Sequence, residues 1–184
     1  DQVLTININN LNDNIPVFSS NTSYSGDENQ TSIGTIQVTD ADGDALSYSI
    51  SSTNLSINSS GVLTFTTAPD YETNTSFSGT VSVTDGLTSV NKAITVNVNN
   101  LNDNSPVVSS DATFTAAENQ TAIAALTASD ADGDSISFTI TGSELSITSA
   151  GVLTFASAPD YETQTSYTAT VTVSDGTNSG TQDI

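Results

Sequence analysis

The chain repeats itself. Leu11-Asn12-Asp13-Asn14 returns as Leu101-Asn102-Asp103-Asn104, and Glu28-Asn29-Gln30 returns as Glu118-Asn119-Gln120. The acidic run Asp40-Ala41-Asp42-Gly43-Asp44 reappears over residues 130–134, and the GVLTF run opened by Gly61 is opened again by Gly151. Pro69-Asp70-Tyr71-Glu72-Thr73 is matched by residues 159–163, and Asp85-Gly86 by Asp175-Gly176. A gapless period of about 90 residues specifies an array of like structural units. Roughly half of the matching positions are identical, but acids match far more often. Asp13, Glu28, Asp40, Asp42, Asp44, Asp70, Glu72 and Asp85 each face an acid in the second copy, and in the same span only Asp27 does not. A recent duplication would keep all positions at a similar rate, so the bias assigns these carboxylates a task that the surface Ser and Thr do not share.

Between the acidic clusters, apolar and polar residues alternate with the period of a half-buried strand. Residues 3–8 (VLTINI) and 93–98 (AITVNV) place Ile, Leu or Val at every second position, and residues 80–83, 170–173, 33–38, 46–50 and 62–65 follow the same rule. Val, Ile, Thr and Ser dominate and no window carries a helical stripe. Six or seven short strands per repeat, bounded by Gly, Asp and Asn, predict an all-β fold of tandem Greek-key, immunoglobulin-like sandwiches. The frame is offset. Residues 1–10 match the end of a repeat and are expected to be the last strand of a preceding one plus a linker. Residues 11–100 form the first repeat, and 101–184 the second, which stops within its own last strand. Without an initiating Met, the chain is expected to be a piece of a longer one.

Charge narrows the partners. Twenty-one acids stand against a single cation, Lys92, with no His and a net charge of −20. Nothing on such a chain neutralises phosphates, which argues against nucleic acid and against an anionic membrane surface. No apolar run approaches the ~20 residues of a membrane helix, so no insertion is expected. With no Cys, disulfides and thiolate metal sites are absent, and each unit is left to core burial or bound ions for its stability. Ser and Thr abound, but no His and one Lys leave almost no base to activate them, so no enzyme is expected. Asp70 and Glu72 form a carboxylate pair, yet a narrow sandwich turn offers no cleft for a glycoside.

A sandwich places the acids at its ends. Asp40, Asp42 and Asp44 follow one strand and Asp85 another, at the end where Asn12-Asp13-Asn14 enters. Glu28, Asp70 and Glu72 fall at the opposite end, toward Asn102-Asp103-Asn104. Two carboxylates ~4 Å apart repel by up to about 4 kcal/mol at a surface-like dielectric, which a folded protein tolerates with a cation between them. Oxygen ligands without His or Cys select Ca²⁺ or Mg²⁺, and a flexible, carboxylate-rich crevice favours Ca²⁺. Asp-x-Asp-x-Asp alone also suggests an EF-hand loop, but Gly43 sits too early and Ser51 stands where the closing Glu belongs. Asn-Asp-Asn on its own is also a common turn cluster.

The ordered set ENQ, DADGD, GVLTF, DYE, VTDG and LNDNxP resembles the cadherin repeat in its compact bacterial form, across essentially the whole chain. The resemblance implies seven-stranded cadherin sandwiches with two to three calcium ions at a repeat junction. Its ligands here would be Glu28, Asp70 and Glu72, then the Leu101 carbonyl, Asn102, Asp103 and Asn104, then Asp130, Asp132 and Asp175. Asn12, Asp13, Asn14, Asp40, Asp42 and Asp85 would form an upstream half-junction, and Glu118, Asp160 and Glu162 a downstream one. The chain departs from the pattern at Asn100, where the linker usually opens with Asp, and at Gly133-Asp134, where a longer loop is usual. It also lacks the Trp of vertebrate strand exchange. The resemblance implies a calcium-rigidified module of a secreted or cell-surface adhesin, bacterial in origin, whose partners are calcium and neighbouring repeats. Direct calcium-dependent binding by these domains, of polysaccharide or of copies of themselves, is the alternative, and few aromatics are available for sugar stacking. Tyr71 and Tyr161 read as packing residues. Residues 1–9 are also suited to donate a strand to another copy of the chain.

Overall fold

A computed structural model describes residues 2–184, and the chain divides into two compact units, Asp1–Asn100 and Leu101–Ile184. In the first unit nine strands run in chain order: β1 (Val17–Phe18), β2 (Ser23–Asp27), β3 (Ser32–Thr35), β4 (Val38–Thr39), β5 (Ser47–Ser51), β6 (Leu55–Ile57), β7 (Val62–Phe65), β8 (Ser76–Thr84) and β9 (Ser89–Asn99). One layer has the order β2-β9-β8-β5 and the other β3-β7-β6, extended by the antiparallel pair β1-β4. β1 with β2, and β3 with β4, are single strands of the sandwich interrupted midway, which gives seven strands in Greek-key order. The first of these changes layers. β1 pairs with β4, and after residues 19–22 β2 pairs parallel with β9.

Alternation in sequence becomes alternation in burial. Along β8, Val81 and Val83 are fully buried, and along β9 Ile94, Val96 and Val98 are buried between exposed neighbours. They meet Ile36, Leu55, Leu63 and Phe65 from the facing layer in one core. The Phe65 ring packs edge-on against Phe77 at 5.6 Å, a favoured aromatic geometry. The sole lysine closes the layer change: Lys92 on β9 donates to the Ser20 carbonyl and its ammonium lies 5.5 Å from the centre of the Phe18 ring.

The second unit repeats this plan with β10 (Val107–Val108), β11 (Ala122–Ala125), β12 (Ala128–Ser129), β13 (Ser137–Ile140), β14 (Leu145–Ile147), β15 (Val152–Phe155), β16 (Thr170–Ser174) and β17 (Ser179–Asp183). Its layers are β13-β16-β17 and β11-β15-β14, with β10-β12 alongside. Gln182 takes the place of Lys92 and donates to the Ser110 carbonyl at 3.2 Å. Residues 113–117, the counterpart of β2, form no strand. One reason is local. Ala116 stands where the first unit has Gly26, and a Cβ at Gly26 would lie 2.8 Å from Phe65 and 2.9 Å from the Ser32 carbonyl oxygen.

Residues 2–10 also form no strand, although the alternation over 3–8 reads as one, and Val3 and Ile8 are each 93 % exposed. Their sister segment at 93–98 is held between β2 and β8. An alternating pattern marks a face to be buried, but a strand forms only where another supplies its hydrogen bonds.

The GVLTF runs begin at a tight crossing. Gly61 and Gly151 have φ of +77° and +86°, and each offers its carbonyl to the backbone N–H of Ile36 or Leu126, just past the end of the neighbouring strand in the same layer, at 2.8 Å. A Cβ on Gly151 would stand 2.6 Å from the Leu126 carbonyl oxygen, whereas one on Gly133, with φ +81°, would meet nothing within 4 Å. Gly151→Ala is therefore expected to lower the second unit's unfolding free energy by about 1–3 kcal/mol in urea titration. Gly133→Ala should cost less, since it carries only the backbone term. Equal costs would show that the close approach at Gly151 is not a constraint.

Candidate metal centre

At the entry end of the first unit, a short linker is folded down by carboxylates. The Asp42 Oδ2 accepts hydrogen bonds from the backbone N–H of Asp13 at 3.0 Å and of Asn14 at 2.7 Å, and its Oδ1 accepts from the Asn14 side chain at 2.8 Å. The Asn12 amide reaches the Asp85 carbonyl at 3.2 Å. Asp40 Oδ1 accepts the N–H groups of Asp42 and Asp44, curling the loop so that Asp40, Asp42 and Asp44 bring carboxylate oxygens within 4.8 Å of one another. Asp85 Oδ1 is held by the N–H groups of Leu87 and Thr88, and Oδ2 by the Thr88 hydroxyl. Asn12, Asp13, Asn14, Asp40, Asp42 and Asp85 thus sit on one end of the unit, with Asp44, which the ligand set read from sequence leaves out, among them.

These contacts set the charges. The Asn14 N–H and side chain hold the Asp42 carboxyl below its ordinary range, and the Thr88 N–H does the same for Asp85. Asp44 is pushed up, first by burial and then by the neighbouring charges of Asp40, Asp42 and Asp85. Most telling are the oxygens left over. Asn12 Oδ1, Asp40 Oδ2 and Asp44 Oδ2 are shielded from solvent and have no hydrogen-bond partner. Leaving such groups unmet is expensive unless a ligand takes them.

The second unit builds the same end from Asn102, Asp103, Asn104, Asp130, Asp132 and Asp175. Asp132 Oδ2 accepts from the N–H of Asp103 at 3.0 Å and of Asn104 at 2.9 Å, and Asp130 Oδ1 accepts from Asp132 and Asp134. The Leu101 carbonyl accepts the Asp103 N–H at 3.1 Å. Asp130 Oδ2 is again buried without a partner, and here Asp175 Oδ2 is too. The difference lies at one position. Asn178 replaces Thr88, and its side chain turns to Asn102 Oδ1 at 2.8 Å instead of to the aspartate. Burial pushes the Asp175 carboxyl up, but the N–H groups of Asn178 and Thr177, with the Asn side chains, outweigh it and hold it low.

The opposite end of each unit is organised by an Asn that sequence reasoning passed over. Asn29 and Asn119 adopt left-handed backbone with φ of 62° and 61°, a conformation Asn tolerates. Their N–H groups donate to the carbonyls of Pro69 and Pro159. Glu28, buried, then accepts the Tyr71 N–H at 2.8 Å, and Glu118 accepts that of Tyr161 at 3.2 Å. Asp70 is held low first by the Thr73 hydroxyl, and Asp160 by that of Thr163. Glu118, Asp160 and Glu162 bring oxygens within 4.8 Å of one another. Tyr71 packs against the first core, whereas Tyr161 is 63 % exposed.

The model of the family described as "Bacterial Ig domain" matches residues 12–99 and again 102–184. The chain belongs to the bacterial Ig domain family. Among its relatives, human Protocadherin Fat 4 is 39 % identical over 68 % of this chain and 3 % of that protein. Mouse Protocadherin Fat 4 is 34 % identical over 92 % of this chain and 4 % of that protein. The chain therefore spans only a few per cent of the length of these relatives. Human protocadherin-24 EC1-2 superposes with a TM-score of 0.74 at 21 % identity, covering 92 % of this chain and 93 % of that one. Mouse cadherin-23 EC22-24 gives 0.75 at 20 % identity, covering 93 % and 65 %. These bacterial Ig domains are cadherin-like sandwiches in tandem.

All the donors gathered at these ends are oxygens, from carboxylates, Asn side chains and backbone carbonyls. With buried oxygens unmet, the sets fit a hard divalent cation better than any soft or imidazole-seeking metal. Without a cation the Asp44 charge opposes its neighbours, so Asp44→Asn is expected to raise the melting temperature in chelator. In calcium the same variant should gain less than wild type on adding the ion. Paired thermal melts check both signs, and a variant that behaves alike in the two buffers would remove Asp44 from the cation's surroundings.

Proposed function

We propose that these domains are a calcium-stiffened spacer within a secreted or cell-surface adhesin, with no catalytic role. The observation that supports this most directly is the set of shielded, partnerless carboxylate oxygens on Asp40, Asp44, Asp130 and Asp175, in loops onto which the linker segment is itself hydrogen-bonded. The adhesive setting is supported by the cadherin-type neighbours and by the relatives Protocadherin Fat 4.

In this reading Glu28, Asp70 and Glu72 of the first domain, the Leu101 carbonyl with Asn102, Asp103 and Asn104 of the linker, and Asp130, Asp132 and Asp175 of the second domain hold two to three calcium ions. Calcium when bound supplies positive charge and six to eight coordination positions for oxygen. Asp132 fixes the linker backbone by accepting the N–H groups of Asp103 and Asn104, so the linker's side chains are ordered before any ion arrives. The Asn178 amide positions Asn102, and that leaves the second oxygen of Asp175 to the ion. Neutralising carboxylates from two domains at once removes their repulsion and makes the linker the stiffest path between them. Extracellular calcium sites bind at roughly 10⁻⁴–10⁻³ M. At about 10 mM calcium each such site adds roughly 1.4–2.7 kcal/mol by mass action.

Small-angle scattering with calcium and with chelator, at matched ionic strength, tests the proposal. Calcium should give one extended distance distribution and chelator a hinged ensemble. Asp103→Ala in calcium should scatter like wild type in chelator. Identical profiles in both buffers would overturn the stiffening role.

A further inference from the structure

The two entry ends carry the same acids but differ at one matching position, Thr88 in the first unit and Asn178 in the second. The aspartate three residues earlier is held alike in both. Asp85 Oδ1 accepts the N–H groups of Leu87 and Thr88 at 2.8 and 2.6 Å, and Asp175 Oδ1 accepts those of Thr177 and Asn178 at 2.7 and 2.6 Å. Their second oxygens part company. Asp85 Oδ2 accepts the Thr88 hydroxyl at 2.8 Å, whereas Asp175 Oδ2 is shielded from solvent and has no hydrogen-bond partner.

At the linker the pattern reverses. Asn12 gives its side-chain amide to the Asp85 carbonyl at 3.2 Å, and its Oδ1 is shielded and unmet. Asn102 Oδ1 instead accepts the Asn178 amide at 2.8 Å, and the same NH₂ lies 3.3 Å from the Asn102 carbonyl oxygen and 3.2 Å from that of Asn104. One side chain therefore exchanges the oxygen left open. In the first unit it is a neutral amide oxygen of the linker, and in the second a carboxylate oxygen of the domain.

We infer that Asn178 is a positioning residue that strengthens cation binding at the second unit's entry end, and that Thr88 weakens it at the first. The inference rests on the calcium-binding role proposed for these ends. Two effects act in the same direction. Calcium affinity follows the charge of the ligands and the rigidity of the site. An open carboxylate oxygen attracts the ion more strongly than an open amide oxygen, and at Asp85 the ion has first to displace the Thr88 hydroxyl. In addition, the Asn178 amide draws three linker oxygens together in the ion-free chain, so less ordering is left to the binding step. The calcium threshold of an entry end is thus set by a residue outside its ligand set, and repeats with identical acids can stiffen at different calcium concentrations.

Residue-resolved NMR titration of the whole chain with Ca²⁺ at matched ionic strength tests the inference. The backbone amides of Asn104 and Thr177 report the second end, and those of Asn14 and Leu87 the first. Asn178→Thr should weaken calcium binding at the second end by about 10-fold or more and leave the first unchanged. Thr88→Asn should tighten the first end by a similar factor, a gain that loss of packing cannot produce. In chelator, hydrogen exchange at Asn104 should be faster in Asn178→Thr than in wild type. Calcium binding whose midpoints stay put or move the other way in the two variants, or equal exchange at Asn104, overturns the inference and leaves the spacer function standing. A wild-type chain that takes up calcium at neither end overturns both.

Discussion

One carboxylate in each domain, Asp42 or Asp132, accepts two successive backbone N–H groups of the Asn-Asp-Asn segment, and the rest of the acidic end is arranged around that contact. Hydrogen bonds from N–H to an ionised acceptor are among the stronger ones available to a surface loop. Because the acceptor is itself fixed, its own N–H held by Asp40 or Asp130, the linker cannot swing free without breaking a chain of bonds. The linker is thereby part of the domain that follows it, and the acids that follow strands β4 and β8 are placed relative to it before any ion is considered.

Much of the architecture was legible because burial alternates with period two. The run at 62–65 is β7, that at 93–98 lies within β9, and the alternate residues Val81, Val83, Ile94, Val96 and Val98 of the runs read from sequence are buried. The pattern was weakest where backbone, not side chain, decides. The two-residue strands β1 and β10 leave no room for a period, and the bulge between Ser32 and Gly34 changes the register inside what reads as one strand. Residues 3–8 carry the strand pattern without the strand, since a pattern cannot report whether a partner is present.

At the acidic ends the residue types were legible and the fine geometry was not. Repetition singled out Asp40, Asp42, Asp85 and their copies. It could not say that Thr88 satisfies Asp85 while Asn178 leaves Asp175 partly unmet, because that depends on which way one short side chain turns. Nor did it assign a role to Asn29 and Asn119, repeated as they are, because their value lies in a left-handed φ. Asp44 was visible as part of the repeated run, but its shielding from solvent comes only from the fold of the loop.

The parallel pairing of β2 with β9 bears on how the first domain would respond to a pulling force. Five residue pairs, from Ser23 beside Thr95 to Asp27 beside Asn99, join the first long strand to the last. Parallel neighbours at the two ends of a domain are dragged in opposite directions when its termini are drawn apart. Their hydrogen bonds are then loaded together in shear and do not open one at a time like a zipper. Ahead of them, the Lys92 contact with the Ser20 carbonyl anchors the layer change where tension first arrives. A sandwich with this strand order lengthens under tension only when several of these bonds break together.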